Sequence, residues 1–298
     1  MTWLITLTNT AVHSDVYSIS YNWRESQLIG NTLAHSFNTE LLKLCAMGVT
    51  VIAGSGSDGA AGQKYRSSTT SSCTYDPVFP ASSPYVLAVG ATMGLESISK
   101  EVACQSDAGC GVTSGGGFSN LFPAFSAQRD SISGYFKNET VHPVHGYNKT
   151  GRGYPDVAIA GNNLLAVIGG KEYLVSRAAV SSVAGMITLI NAARRFSGRS
   201  TVGWLNPVLY GSGGSFANDV ISGNNKCTVD TCCDQGFSAV PGWDPLTGFG
   251  SIDFGKLYSL LLEAPPPTAP PSSSSYIDQG EFRWTTVCRA FGAPMGLR

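Results

Sequence analysis

The sequence predicts an α/β domain built on a parallel sheet with crossover helices. Three observations carry that reading: a strand–helix–strand unit over residues 16–53, a glycine-rich loop directly after its second strand, and a composition rich in glycine and poor in charge. Residues 16–20 (VYSIS) read as a short buried strand. Across residues 27–47, Leu33, Phe37, Leu41 and Leu44 recur at helical spacing and predict one apolar face. Gly48 then supplies a left-handed stop. Residues 49–53 (VTVIA) are a continuous apolar run that ends in Gly54-Ser55-Gly56. Two buried strands joined through a helix pair in parallel. Ligand sites in such sheets gather in loops beyond the strand carboxyl ends, which makes the loop at 54–62 a candidate site.

Residues 85–90 (YVLAVG) and 164–168 (LLAVI) read as further buried strands, and residues 178–191 as a buried helix rich in Ala, Val, Ile and Leu. Beyond Leu262 the composition changes abruptly. Residues 264–275 (APPPTAPPSSSS) are a stiff proline run followed by a flexible serine run. The expected organisation is therefore a domain over residues 1–263, a linker over 264–275 and a disordered tail over 276–298.

Of the 298 residues 43% are apolar, enough for a sizeable core, and only 13% are charged, against a usual ~25%. A net charge of −1 gives no electrostatic grounds for binding nucleic acid or an acidic membrane surface. Eight cysteines include Cys104 and Cys110, which flank a short loop, and Cys227, Cys232 and Cys233, which share another. Local pairs of this kind suit short disulfide loops in an oxidising compartment, and no second ligand cluster stands at zinc spacing. The sequons at Asn138 and Asn148 agree with a secretory or lysosomal route. No apolar run reaches ~18 residues, so no membrane span is expected. The opening residues 1–7 are too short, and lack the basic lead, for a signal peptide, which suggests a chain that begins late. His13, His35, His142 and His145 show no metal spacing, and His142 and His145 fall in a Pro- and Gly-containing loop expected to be solvated. Asp156, after Pro155, is expected to cap or turn the chain.

Five segments then occur in order: FPASSPYV at 79–86, SGGGFSN at 114–120, GRGYPDVA at 151–158, WLNPVLY at 204–210 and PGWDPLTGFG at 241–250. Together with FNTELLKLCAMGVTVIAGSGS at 37–57, they resemble the sedolisin family of serine-carboxyl peptidases, of the tripeptidyl-peptidase kind, over roughly residues 3–262. The resemblance implies a subtilisin-like parallel sheet with helices on both faces, here incomplete at the N-terminus. It implies hydrolysis of peptide bonds in acid by a Ser nucleophile, a Glu base, an Asp that orients the Glu and a protonated Asp in the oxyanion hole. A carboxylate can serve as base where the working pH is low, and a donor aimed at the developing oxyanion stabilises the intermediate. It also implies one Ca²⁺ ion, held by the carboxylates of Asp219 and Asp244 and the carbonyls of Val220, Val240 and Gly242. A peptide or protein substrate and a lysosomal or secreted location follow from the same likeness. Ser114 to Gly117 (SGGG) is either a wall of the substrate cleft, as in the family, or a plain glycine turn.

The sequence departs from the pattern at its chemistry. The Glu and its orienting Asp belong to a helix upstream of the first matched segment. Ser57 stands at the oxyanion position and Asp58 follows it. Aligned without gaps, Arg177 stands at the nucleophile position; with a deletion, Ser176, Ser181 or Ser182 takes that place. Loss of a nucleophile or base lowers rate by ~10⁴–10⁶, and loss of an oxyanion donor by ~10²–10³. The expectation is a peptidase homologue inactive as this chain. Two alternatives stay open: an active peptidase whose upstream catalytic segment lies outside this sequence, and a non-catalytic, calcium-stabilised peptide-binding protein.

Overall fold

The structure, a computed structural model, describes residues 2–264 without 11–12, 29–30, 67–72, 96–99, 138–140 and 177. The expected linker beyond Ala264, the tail, Asn138 and Arg177 lie outside the described residues. In chain order the elements are α1 (Thr2–Thr8), β1 (Val16–Ile19), β2 (Trp23–Arg24), α2 (Asn31–Ala46), β3 (Thr50–Gly54), α3 (Gln63–Arg66), β4 (Val78–Phe79), β5 (Leu87–Met93), β6 (Val102–Ala103), β7 (Gly117–Pro123) and α4 (Arg129–Tyr135). They continue with β8 (Gly151–Tyr154), β9 (Val157–Ala160), β10 (Leu164–Ile168), β11 (Lys171–Val175), α5 (Ala179–Phe196), α6 (Asn206–Gly211), β12 (Ala217–Asn218), β13 (Ser251–Ile252) and α7 (Phe254–Leu262).

The main sheet runs β1-β3-β5-β9-β13-β12, with β6 attached to β5. Its centre, from β1 to β13, is parallel as expected. The two-residue strands β12 and β6 pair antiparallel, so the whole sheet is mixed. Strand pleat sends alternate side chains to opposite faces. Val51 and Ala53 of β3, with Ala88 of β5, pack with Leu41 and Leu44 of α2. Ile52, Leu87 and Val89 point the other way and pack with Val183, Ile187 and Ile190 of α5. Helices therefore cover both faces, and both are dry. Among the described residues no helix is long and apolar enough to cross a membrane.

Several expectations change in three dimensions. Leu33 is exposed; the buried line of α2 is Ala34, Asn38, Leu41, Leu44 and Cys45. The helix is rotated so that Asn38 accepts a hydrogen bond from Ser83 Oγ at 2.6 Å. Residues 164–168 are not a buried strand. They form β10 of an antiparallel hairpin with β11, closed by Gly169-Gly170 at positive φ, and Leu165, Val167 and Leu174 face solvent. A Gly-Gly pair between two apolar runs is a hairpin signal, and it overrides the apolar count. The slot in the main sheet belongs instead to β9, whose short run VAIA follows Pro155-Asp156. His142 is buried against Tyr135 and Phe136, with Nδ1 2.9 Å from both Tyr147 Oη and Pro143 O, whereas His145 is exposed.

Asp156 does more than cap. It is fully buried, and its carboxylate accepts hydrogen bonds from Arg152 Nη2 at 2.6 Å, Ala88 N at 2.8 Å and Tyr210 Oη at 2.9 Å. Arg152, also fully buried, donates further to the carbonyls of Gly153 and Val86. The pair thereby joins β8, β9, β5 and α6 at one point. The local cysteines do pair, Cys104 with Cys110 and Cys227 with Cys232, while Cys233 reaches back to Cys73. Cys45 is buried and unpaired; burial pushes its thiol up to about 12, which leaves it unreactive at ordinary pH.

Candidate functional site

Three segments meet at the carboxyl edge of the sheet. The first is the loop after β3. Ser55 N donates to Val89 O at 2.9 Å, which carries the chain over the top of β5. The second is SGGG. Gly115 N donates to Gly56 O at 3.2 Å and Thr113 N to Ser57 O at 3.2 Å, so the two loops are laced backbone to backbone. A Cβ on Gly115 would stand 2.0 Å from Ser55 O, and one on Gly116 1.9 Å from Pro245 O. Those approaches exclude any side chain, so these glycines are set by backbone contact and not by turn geometry alone. The third is the first turn of α5. A Cβ on Gly54 would lie 3.0 Å from Val180 Cγ2, which puts the start of this helix against the end of β3. The loop that holds Ser57 and the first turn of α5, where Ser181 and Ser182 lie, thus flank one edge.

Beside this edge lies a small open pocket lined by Asn22, Arg24, Ser57, Asp58, Gln63 and Val78. Ser57 is half-buried there. Near α5, Ser176 Oγ donates to Asn162 Oδ1 at 2.9 Å, and the hydroxyls of Ser181 and Ser182 donate to Ala178 O at 3.1 and 3.0 Å. Amide and peptide oxygens accept a hydrogen bond but take no proton at ordinary pH, so these partners do not activate a hydroxyl. One carboxylate that sequence reading missed is Glu25, between β2 and α2. It is buried, and it accepts from Ser119 Oγ at 2.5 Å and Asn120 N at 2.7 Å. Burial raises its pKa above the usual glutamate value, against the lowering effect of those hydrogen bonds. It fixes the SGGGFSN segment to the strand that lines the pocket. No local motif marks it, because its partners lie more than ninety residues away.

No family model matches the chain. Tripeptidyl-peptidase 1 from Macaca fascicularis is 36% identical over 267 residues, covering 87% of this chain and 45% of the relative. The human protein of the same name gives the same figures. Aorsin from Aspergillus oryzae is 35% identical over 276 residues, covering 85% of this chain and 41% of the relative. The chain thus spans less than half the length of these relatives. Among solved structures, Pseudomonas sedolisin, a serine-carboxyl proteinase complexed with pseudo-iodotyrostatin, superposes with a TM-score of 0.62 at 24% identity. That match covers 83% of this chain and 64% of sedolisin, and it shows the shared fold.

The chain is homologous to the sedolisin-like serine-carboxyl peptidases.

Within this sedolisin-type fold, the five residues expected at a metal site come together at one corner. Gly242 N donates to Asp219 Oδ2 at 2.7 Å, and Val240 N to Asp244 Oδ2 at 3.1 Å. Thr247 Oγ1 touches both Val220 O, at 3.4 Å, and Asp244 Oδ1, at 3.2 Å. Asp244 is fully buried, and its hydrogen-bond partners, the N–H groups of Val240, Leu246 and Thr247 and the Thr247 hydroxyl, are all neutral. Burial pushes its carboxyl up to about 7, against the lowering pull of those donors.

Proposed function

We propose that this chain is a sedolisin-type peptidase homologue that does not hydrolyse peptide bonds by itself. The observation that carries the reading is the state of the hydroxyls at the start of α5. Ser176, Ser181 and Ser182 each donate to an amide or peptide oxygen. A serine peptidase needs a base at the hydroxyl, because an unassisted hydroxyl is too weakly acidic to attack. Ser57 in the loop after β3 supports the same conclusion, since a serine hydroxyl replaces the protonated carboxyl that the family resemblance puts there. The laced glycine loops at the carboxyl edge of the sheet suit the binding of a peptide or protein chain, and the kinship with tripeptidyl-peptidase 1 and the disulfides suit a lysosomal or secreted location. The test is an assay of purified chain against unblocked fluorogenic tripeptides from about pH 3 to pH 7, the range in which a carboxylate base would change charge. No turnover is expected. Turnover that is lost in Ser176→Ala would assign the nucleophile to Ser176 and defeat the proposal.

We further propose that the corner around Asp244 binds one Ca²⁺ ion. The donor set fits: two carboxylates and three carbonyls are hard oxygen ligands of the kind Ca²⁺ takes. A buried carboxylate whose hydrogen-bond partners are all neutral also suits a cation, because a buried charge is stabilised by an opposite one. Asp219 and Asp244 would supply charge, and Val220, Val240 and Gly242 carbonyl oxygens. The ion would act on stability, by neutralising the two carboxylates and fixing residues 240–244.

A further inference from the structure

We propose that Cys227, Cys232 and Asp107 form a redox-gated site for a single Zn²⁺ ion, closed while the sulfurs are bonded to each other and open once they are reduced. One ligand atom from each of the three residues lies within 4.8 Å of the others, and Cys227 Sγ is 3.4 Å from Asp107 Oδ2. Sequence spacing hides the site, because Asp107 stands 120 residues before Cys227.

Both ligand loops carry backbone and hydroxyl hydrogen bonds besides the sulfur–sulfur bond. In the cysteine loop, Thr228 N donates to Thr231 O at 2.7 Å and Cys233 N to Lys226 O at 2.8 Å. The Thr228 hydroxyl accepts from the N–H groups of Asp230 and Thr231 at 3.3 and 3.1 Å. The Asp107 loop is stitched to it, since Ser106 Oγ donates to Thr228 O at 2.7 Å, and Ser106 N is itself held by Thr113 Oγ1 at 3.0 Å. Reduction therefore frees two thiols on a loop that already faces a carboxylate. A site preorganised in this way loses little entropy on closing around a metal.

Accessibility makes the reduction selective. Cys232 is exposed, as is Asp107, whereas both residues of the Cys104–Cys110 bridge are buried, and in the Cys73–Cys233 bridge Cys233 is buried and Cys73 half-buried. Thiol–disulfide exchange needs access to a sulfur, so a dithiol reductant attacks Cys227–Cys232 first. In that step the sulfur–sulfur bond takes two electrons and two protons, and the reductant becomes a disulfide. Zn²⁺ then displaces both thiol protons to solvent and binds two thiolates and one carboxylate, with water in the fourth tetrahedral position. Thiolate sulfur favours Zn²⁺ over Ca²⁺, which separates this site from the acidic corner. The ion would be held in a reducing compartment and released where the bridge re-forms.

The experiment takes the full chain, oxidised and after limited treatment with dithiothreitol, which is then removed without air. Zn²⁺ is titrated in competition with a chromophoric chelator, and Co²⁺ is titrated while thiolate-to-cobalt charge transfer is followed. The oxidised chain should bind no Zn²⁺. The reduced chain should bind one ion and release about two protons per ion. Loss of even an outer-shell partner weakens metal affinity about 10–100-fold, so Asp107→Asn should weaken it by at least about tenfold while the charge-transfer band persists. Asp107 is exposed, so that variant keeps the fold. Equal affinity in Asp107→Asn and parent, binding that survives Cys227→Ser with Cys232→Ser, or no binding by the reduced chain would each overturn the proposal.

Discussion

Replacing Asp156 by alanine should destabilise the fold more than any surface change. Its carboxylate is fully buried and answers three donors: the Arg152 guanidinium, Ala88 N and the Tyr210 hydroxyl. The substitution leaves a buried guanidinium without its counter-ion, which costs about 3–5 kcal/mol. It also orphans the Ala88 N–H, a group whose desolvation is worth about 1–3 kcal/mol. The two losses share one site and do not add fully, so about 4 kcal/mol is the working figure. For a domain of this size each kcal/mol moves the melting temperature by about 2–4 °C, and the expected drop is about 8–16 °C. Asp156→Asn keeps the shape and an acceptor and should lose less. Tyr210→Phe removes two hydrogen bonds, the one donated to Asp156 and the one accepted from Gln128 Nε2 at 2.7 Å, and should cost about 2 kcal/mol, which scales the series. Urea and thermal unfolding of the three variants measure it. A change of under about 1 kcal/mol in Asp156→Ala would show that the Arg152 cation is compensated elsewhere, and the account of this node would fail.

Calcium should raise the melting temperature through the corner at Asp244. At ~100-fold excess over Kd the gain is ~2.7 kcal/mol, and Asp244→Ala should remove most of it; an equal response to Ca²⁺ and chelator in both proteins would place the ion elsewhere. Glu25 should give a pH-dependent term of opposite sense to an ordinary ion pair. Because its folded pKa is raised by burial, the folded state holds the proton more tightly than the unfolded chain. Its contribution is full below the ordinary glutamate range and is lost as pH rises through the folded value. Glu25→Gln should therefore flatten the stability–pH profile across that interval, and a profile that is unchanged would show that folding does not raise the Glu25 pKa.

The sequence by itself determined the β1–α2–β3 unit and the helix α5, and it pointed to local disulfide loops at Cys104–Cys110 and among Cys227, Cys232 and Cys233 without choosing the partners. Each depends on residues within about forty positions of one another, where periodicity, glycine stops and cysteine spacing report directly on geometry. It also carried the segments by which the kinship with sedolisin-like peptidases could be recognised. Tertiary structure decided the rest. Residues 164–168 had the composition of a buried strand, but β9 fills that place in the sheet and the hairpin is left outside. Asp156 read as a turn residue until Arg152, Ala88 and Tyr210 closed around it. Asp219 and Asp244 share a corner, and Glu25 holds Ser119, only because separated segments are folded together. Asp107 faces the Cys227–Cys232 loop for the same reason. Whether a polar side chain is a solvated turn, a buried counter-ion or a metal ligand depends on the groups brought against it from distant parts of the chain, and local sequence does not contain those neighbours.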